Sequence, residues 1–222
     1  MTRDGGEEEA ADDGAGESVP PSHPSLADRR PSLAERRGED FSVYPASEDS
    51  ALLAGAVTED LVDADPGRVL DVGTGSGYVG ARLAEATGAW VVGSDVNPEA
   101  CRQARDRDLD AVRGDLVTPF RSGAFDVVVC NPPYLPAQDG VEWDDWFEVA
   151  VTGGETGREV VQRLLADLGR VLAPGGAAYL LVSTATGVDA VVEGALDRGF
   201  SVVALVDASF PGETLTVLKL VR

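Results

Sequence analysis

Arg68-Val69-Leu70-Asp71-Val72-Gly73-Thr74-Gly75-Ser76-Gly77-Tyr78-Val79-Gly80 is the stretch whose reading decides the fold. Its first five residues have the composition of a short buried strand, and Val79 to Ala86 reads as a helix. The glycines between them let the main chain approach a ligand closely, and the helix start offers unpaired N–H groups. Strand, glycine turn and helix make a nucleotide-type cradle. The turn alone does not name the nucleotide, because Gly75-Ser76-Gly77-Tyr78-Val79-Gly80 also satisfies the dinucleotide-binding spacing.

Downstream, a strand over Trp90-Val91-Val92-Gly93-Ser94 ends in Asp95, placed to accept both hydroxyls of a ribose. Asn97-Pro98 then opens a helix to about Arg107, with proline at its favoured first position. A third strand around Ala111-Val112-Arg113 ends in Gly114-Asp115-Leu116. Asp115 can accept from an adenine amino group, and Leu116 offers its main chain and an apolar face. The fourth strand, Phe125 to Cys130, stops at Asn131-Pro132-Pro133-Tyr134. Proline cannot donate a ladder hydrogen bond, and the residue before each proline is kept out of helical geometry. The chain therefore leaves the strand extended, with an Asn side chain and free carbonyls at the edge where open α/β sheets bind ligands. A proline-stiffened loop without chemistry is the alternative.

Residues 135–154 read as a long loop whose Trp143, Trp146 and Phe147 line a substrate wall or anchor the loop to the core. Gly157-Arg158-Glu159 opens a helix to about Val171, closed by Ala173-Pro174-Gly175-Gly176. A strand from Ala177 to Val182, a helix from about Val188 to Arg198, and strands over 201–206 and 214–220 complete the chain. The last two strands are close enough to pair as a hairpin. This alternation predicts an α/β fold: a doubly wound, mostly parallel seven-stranded sheet with a C-terminal antiparallel hairpin.

Upstream, Tyr44-Pro45-Ala46-Ser47-Glu48-Asp49-Ser50 leads into an amphipathic helix to about Val62. Ser47 is the expected N-cap, with Glu48 and Asp49 in the first turn where the helix dipole favours acids. Residues 1–40, rich in Glu, Asp, Gly, Ser and Pro, are expected to be a disordered leader. The repeat Pro-Ser-Leu-Ala-(Asp/Glu)-Arg-Arg at 24–30 and 31–37 reads there as linker rather than docking element. Residues 41–222 are read as one domain.

Composition removes whole classes of chemistry. The only histidine is His23, in the leader, so the domain has no Ser-His-Asp triad, no Cys-His pair and no His-ligated metal. Cys101 and Cys130 read as buried thiols of a reducing cytosol, so no metal site is expected. No apolar run approaches ~18 residues and the acidic start is no signal peptide, so a cytoplasmic location without membrane contact is expected. Residues 41–222 carry 28 acids against 13 bases, which argues against a polyanionic partner such as nucleic acid. The net charge of −21 with a single lysine, Lys219, also resembles proteins of salt-accumulating halophiles, and a halophilic archaeon is the expected source.

Three features favour S-adenosylmethionine over a nicotinamide dinucleotide: Asp71 on the strand before the glycine turn, a second acid at Asp115, and Asn-Pro-Pro-Tyr in place of hydride-transfer machinery. These motifs resemble class I S-adenosylmethionine methyltransferases acting on planar amide or amino nitrogens. Tyr44 to Ser50, Gly153-Gly154-Glu155-Thr156-Gly157-Arg158-Glu159-Val160 and Gly212-Glu213-Thr214-Leu215-Thr216-Val217-Leu218 narrow the resemblance. It is to the archaeal and eukaryotic branch of the HemK-type release-factor glutamine N5-methyltransferases, over about residues 41–222.

The resemblance implies Asn131, Pro132 and Tyr134 as the catalytic edge. It implies a cofactor held by Gly73, Thr74, Gly75, Gly77, Asp95, Val96, Asp115, Leu116 and Asn131, with Glu48, Asp49 and Asp71 near its methionine end. It further implies a peptide-chain release factor as substrate and a small zinc-binding activator subunit that covers an apolar surface. Methylation of an exocyclic amine in RNA or DNA, or of a protein lysine, are the competing activities. A silent scaffold that binds the cofactor only for stability is the non-enzymatic one.

Overall fold

The computed structural model describes residues 42–137 and 145–222. The leader over 1–40 and Trp143 lie outside these residues. Among the described residues seven strands are present: β1 (Arg68–Val72), β2 (Trp90–Asp95), β3 (Asp110–Arg113), β4 (Phe125–Cys130), β5 (Leu172–Ser183), β6 (Ser201–Phe210) and β7 (Glu213–Val221). They form one sheet in the order β3-β2-β1-β4-β5-β7-β6. All contacts among β1 to β5 are parallel, and β7 is antiparallel to both of its neighbours. This is the class I methyltransferase topology, with the expected hairpin at one end.

The central strands are buried on both faces, and their residues alternate between two cores. Val69, Val127, Val129, Tyr179, Leu181 and Val217 pack with α1 (Glu48–Asp60), α2 (Tyr78–Thr87) and α3 (Pro98–Arg105). Leu70, Val72, Val128, Cys130, Leu180 and Leu218 pack with the helices of the other face. Of these, α5 (Glu159–Val171) buries Val161, Leu164, Leu165, Leu168 and Val171, a 3.6-residue spacing in which each side chain contributes about 1.5–3 kcal/mol. The same face holds α6 (Val188–Leu196).

Three local features differ from expectation. Within the stretch read as loop, α4 (Asp145–Val151) forms, a seven-residue helix too short and too acidic to announce itself by periodicity. β5 begins at Leu172 rather than Ala177: pairing jumps from Phe125↔Leu172 to Val127↔Ala177, so Ala173-Pro174-Gly175-Gly176 bulges out of the strand. Ser47 sits at the N-cap of α1 in extended geometry, but its side chain makes no capping bond. Its hydroxyl donates to Asp49 Oδ1, and that same carboxylate oxygen takes the Ser50 N–H that a capping Ser47 would accept. Among the described residues no helix is long and apolar enough to cross a membrane.

Candidate active site

A cavity of about 450 Å³ opens outside the carboxyl ends of β1, β2, β3 and β4. It lies at the point where the strand order reverses, between β1 and β4, which is where doubly wound sheets bind ligands.

The glycine turn after β1 forms its floor. Gly73 and Gly75 are left-handed, with φ of 66° and 52°, and a Cβ on Gly73 would meet no protein atom. Bare backbone thus faces the cavity. Two acids hold the turn in shape. Asp71 Oδ2 accepts from Thr74 Oγ1 at 2.7 Å and from the Gly80 N–H at 3.0 Å. Asp95 Oδ2 accepts from the Gly75 N–H at 3.0 Å, and its Oδ1 from the Asn97 N–H at 2.9 Å. Burial pushes the Asp71 carboxyl up to about 6, against the hydrogen bonds from Thr74 and Gly80 and with help from the neighbouring Asp95 charge. Burial also raises Asp95, and backbone hydrogen bonds from Asn97 and Gly75 oppose it.

At the far end of this floor, Val96, Asp115 and Leu116 line the cavity. Asp115 forms an ion pair with Arg163 of α5. Leu116 is left-handed at φ 49°, a conformation uncommon for a residue with a Cβ, and its carbonyl accepts from Ser94 Oγ at 3.2 Å.

The opposite wall is the end of β4. Its register beside β1, Asp71↔Val129 and Val72↔Cys130, places Asn131 next to the glycine turn. Asn131 Oδ1 is buried and has no hydrogen-bond partner, the one such side-chain atom among the described residues. An unpaired buried amide oxygen costs about 1–3 kcal/mol, so its retention here marks a place for a donor. Pro132, Pro133 and Tyr134 continue the wall. The Tyr134 hydroxyl is held well above its usual range by burial and by the Asp49 and Glu213 charges, so it stays neutral.

The backbone of this edge is braced by the glycine-rich stretch that follows α4. Leu135 N–H donates to Val151 O at 3.0 Å, Gly153 N–H to Leu135 O at 2.9 Å and Ala137 N–H to Gly154 O at 2.9 Å. A Cβ on Gly153 would come within 2.6 Å of Pro133 O, and one on Gly157 within 2.5 Å of Tyr134 O, which is why these positions are glycine. Behind them Glu159 accepts from the Thr156 N–H and the Arg158 N–H, and Arg158 Nη1 reaches Thr186 O at 2.9 Å.

Of the residues singled out in the sequence, two fall outside the cavity wall. Gly77 caps α2 in left-handed geometry and faces Ala104, where a Cβ would sit 2.8 Å from the backbone. Its demand for glycine is helix packing rather than ligand approach. Glu48 is half-buried and does not line the cavity, whereas Asp49 does, receiving the Ser50 N–H at 2.6 Å. Sequence reasoning missed Val43, Val149, Ala150, Val160 and Arg163 as lining residues. Trp146 lines the cavity and so belongs to the wall. Arg163 carried no signal, being one arginine on the polar face of an amphipathic helix.

Fold, bare glycine turn and strand-end acids define a class I methyltransferase with S-adenosylmethionine as its cofactor. A family model described as a methyltransferase domain matches residues 69–154. An archaeal protein of Methanocaldococcus jannaschii, provisionally named a protein N5-glutamine methyltransferase, is 32% identical over 80% of this chain and 90% of its own length. Human methyltransferase HEMK2 is 30% identical over 84% of this chain and 92% of its own. The E. cuniculi Mtq2–Trm112 complex, responsible for methylation of the translation termination factor eRF1, contains a chain that is 30% identical with a TM-score of 0.68, covering 82% of this chain and 99% of that one. The chain belongs to the HEMK2/Mtq2 family of methyltransferases.

Proposed function

We propose that this methyltransferase, with residues 41–222 as its catalytic domain, transfers a methyl group to the N5 nitrogen of a glutamine in the Gly-Gly-Gln motif of a peptide-chain release factor. The observation that carries the reading is the buried, unpartnered Asn131 Oδ1 at the end of β4. A carboxamide N–H₂ has two donors and a nitrogen whose lone pair is delocalised, so it needs two acceptors in fixed positions. Asn131 Oδ1 takes one N–H and the Pro132 carbonyl takes the other. Tyr134, neutral and buried, packs against the amide plane.

The cofactor supplies an electrophilic methyl group on sulfur. Asp95 would accept the ribose hydroxyls beside Val96, Asp115 would accept from the adenine amino group, and Leu116 would pack on the base. Asp49 and Asp71, which also line the cavity, would lie toward the cofactor's methionine end. With both acceptors in place, Asn131 and Pro132 would hold the amide nitrogen toward the methyl group that the cofactor would supply, and the displaced amide proton would pass to water. Positioning of this kind can contribute roughly 7–11 kcal/mol, and acceptors already aimed at the developing positive charge add to it. Histidine has no part in this chemistry, in keeping with a domain that carries none.

A small zinc-binding subunit is the proposed partner, as Trm112 is for E. cuniculi Mtq2. Trp90 at the start of β2 and Val112 within the short edge strand β3, both exposed, are the apolar surface such a subunit would cover. The test is to incubate the protein, co-expressed with that subunit, with methyl-labelled cofactor, release factor and bulk RNA. Label on the Gly-Gly-Gln glutamine is expected, and label confined to RNA would reject the proposal.

A further inference from the structure

The connection between β3 and β4, residues 114–124, carries neither helix nor strand, yet it bears the corner Asp115-Leu116 at the adenine end of the cavity. Two arginines of α5 grip it. Arg163 and Arg170 are seven residues apart, two turns along one helix face. Arg170 donates to Val117 O at 2.9 Å and to Phe120 O, and is itself held by Asp167 at 2.6 Å. Arg163 pairs with Asp115 Oδ2 and, like Asp115, lines the cavity. The corner is closed from two more sides, by Ser94 Oγ on Leu116 O and by Thr118 Oγ1 on Asp115 O. A left-handed non-glycine residue persists only where its surroundings over-determine it, and Leu116 is such a residue.

We propose that Arg163 is a positioning residue for purine recognition: it holds one oxygen of Asp115 and leaves the other presented to the exocyclic amino group of the base. This rests on the assignment of Asp115 to adenine made above. A carboxylate engaged by a guanidinium remains an acceptor-only group. Such a group takes an N–H from a 6-amino purine and repels the carbonyl oxygen of a 6-oxo purine. With side chains 56% and 47% exposed, the pair adds little to stability as a surface ion pair, so its contribution lies in where it leaves Asp115 Oδ1. The same helix braces the Asn131 edge at its start, where Glu159 N–H donates to Gly153 O. α5 thereby ties the adenine end of the cavity to the amide end.

The test is calorimetric titration of the full chain with S-adenosylhomocysteine and with S-inosylhomocysteine, which differ at the purine 6-position and in the proton that the 6-oxo base carries on N1. The wild type is expected to prefer the adenosine compound. Arg163→Ala should weaken that compound about two- to fivefold and leave the inosine compound unchanged, so the preference shrinks by the same factor. Arg163→Lys should restore part of it. Asp115→Ala should abolish the preference, and Arg163→Ala added to it should cost nothing more. An Arg163→Ala variant that keeps the preference, or weakens both compounds equally, overturns the proposal. An Asp115→Ala variant that keeps the preference overturns it through the placement of Asp115. No methyl acceptor enters these measurements, so their failure is separate from failure of the glutamine assignment.

Discussion

The two walls of the cavity handle their polar groups in opposite ways. On the cofactor side, Asp71 and Asp95 each accept two hydrogen bonds from the chain around them, and the glycine turn they shape presents bare backbone. On the β4 side, Asn131 Oδ1 is buried and left without a partner, while the chain around it is braced through neighbouring carbonyls and N–H groups. The cradle is satisfied before any ligand arrives; the strand end is not. A nucleoside cofactor with many contacts can be held by shape. An amide nitrogen that must be turned toward a methyl group needs an acceptor held in reserve.

The contrast is broken most directly at Asn131. Asn131→Ala should lower the methyl-transfer rate by about 10²–10³-fold and leave cofactor affinity within about threefold, read by single-turnover transfer and by calorimetry. Loss of cofactor binding of the same size would make Asn131 a cradle residue and erase the distinction.

The next effect belongs to the cradle alone. Asp71 has its carboxyl raised to about 6 in the folded chain against 3.8 when unfolded, so the folded state binds the extra proton between those values. Its contribution to stability is full below about pH 4 and is lost as pH rises through about 6, a swing of about 3 kcal/mol. Asp71→Asn should remove that swing: relative to wild type, the variant gains stability between pH 4 and pH 7.5 in urea titrations. A difference between the two chains that is flat across this range would mean that Asp71 is not the buried acid described.

Much of this was legible in the sequence, and the reasons are local. Gly73-Thr74-Gly75 after a β-branched run, and two prolines after another, each specify geometry within a few residues. The order of the strands was not legible, because parallel neighbours are chosen by packing across the whole sheet. Nor was the task of Gly77, which meets Ala104 of a helix beginning 21 residues later. Arg163 and Asp115 are 48 residues apart, on elements whose approach follows only from the completed sheet. Ser47 misled for a different reason: its capping position was right, but Asp49 two residues on takes the Ser50 N–H that its hydroxyl would have accepted.

A cradle acid that faces ligand should show a mixed effect. Asp95→Ala is expected to weaken cofactor binding about ten- to a hundredfold, part of it from the Gly75 N–H left unpaired, with the transfer rate at saturating cofactor little changed. Equal loss of binding in the Asn131 and Asp95 variants would contradict the division of labour between the walls.

The smallest effect locates the edge of the cradle. Asp60 ends α1, where the helix dipole disfavours an acid, and it is about a quarter exposed. Burial would raise its carboxyl, but hydrogen bonds from Lys219 at 2.7 Å and from the Tyr179 hydroxyl at 2.6 Å outweigh this and hold it below its usual range. Lys219, the only lysine in the chain, also lies over the Tyr179 ring at 5.7 Å. Lys219→Met keeps the aliphatic stem and removes the charge, so it should cost about 1 kcal/mol, less in high salt, seen as a lower urea midpoint at unchanged slope. The other end of α1 carries Asp49 into the cavity. If cofactor affinity stays constant while stability falls, α1 is a rigid support lying outside the cradle. If affinity falls with it, the placement of Asp49 depends on this distant anchor, and the satisfied wall extends the full length of the helix.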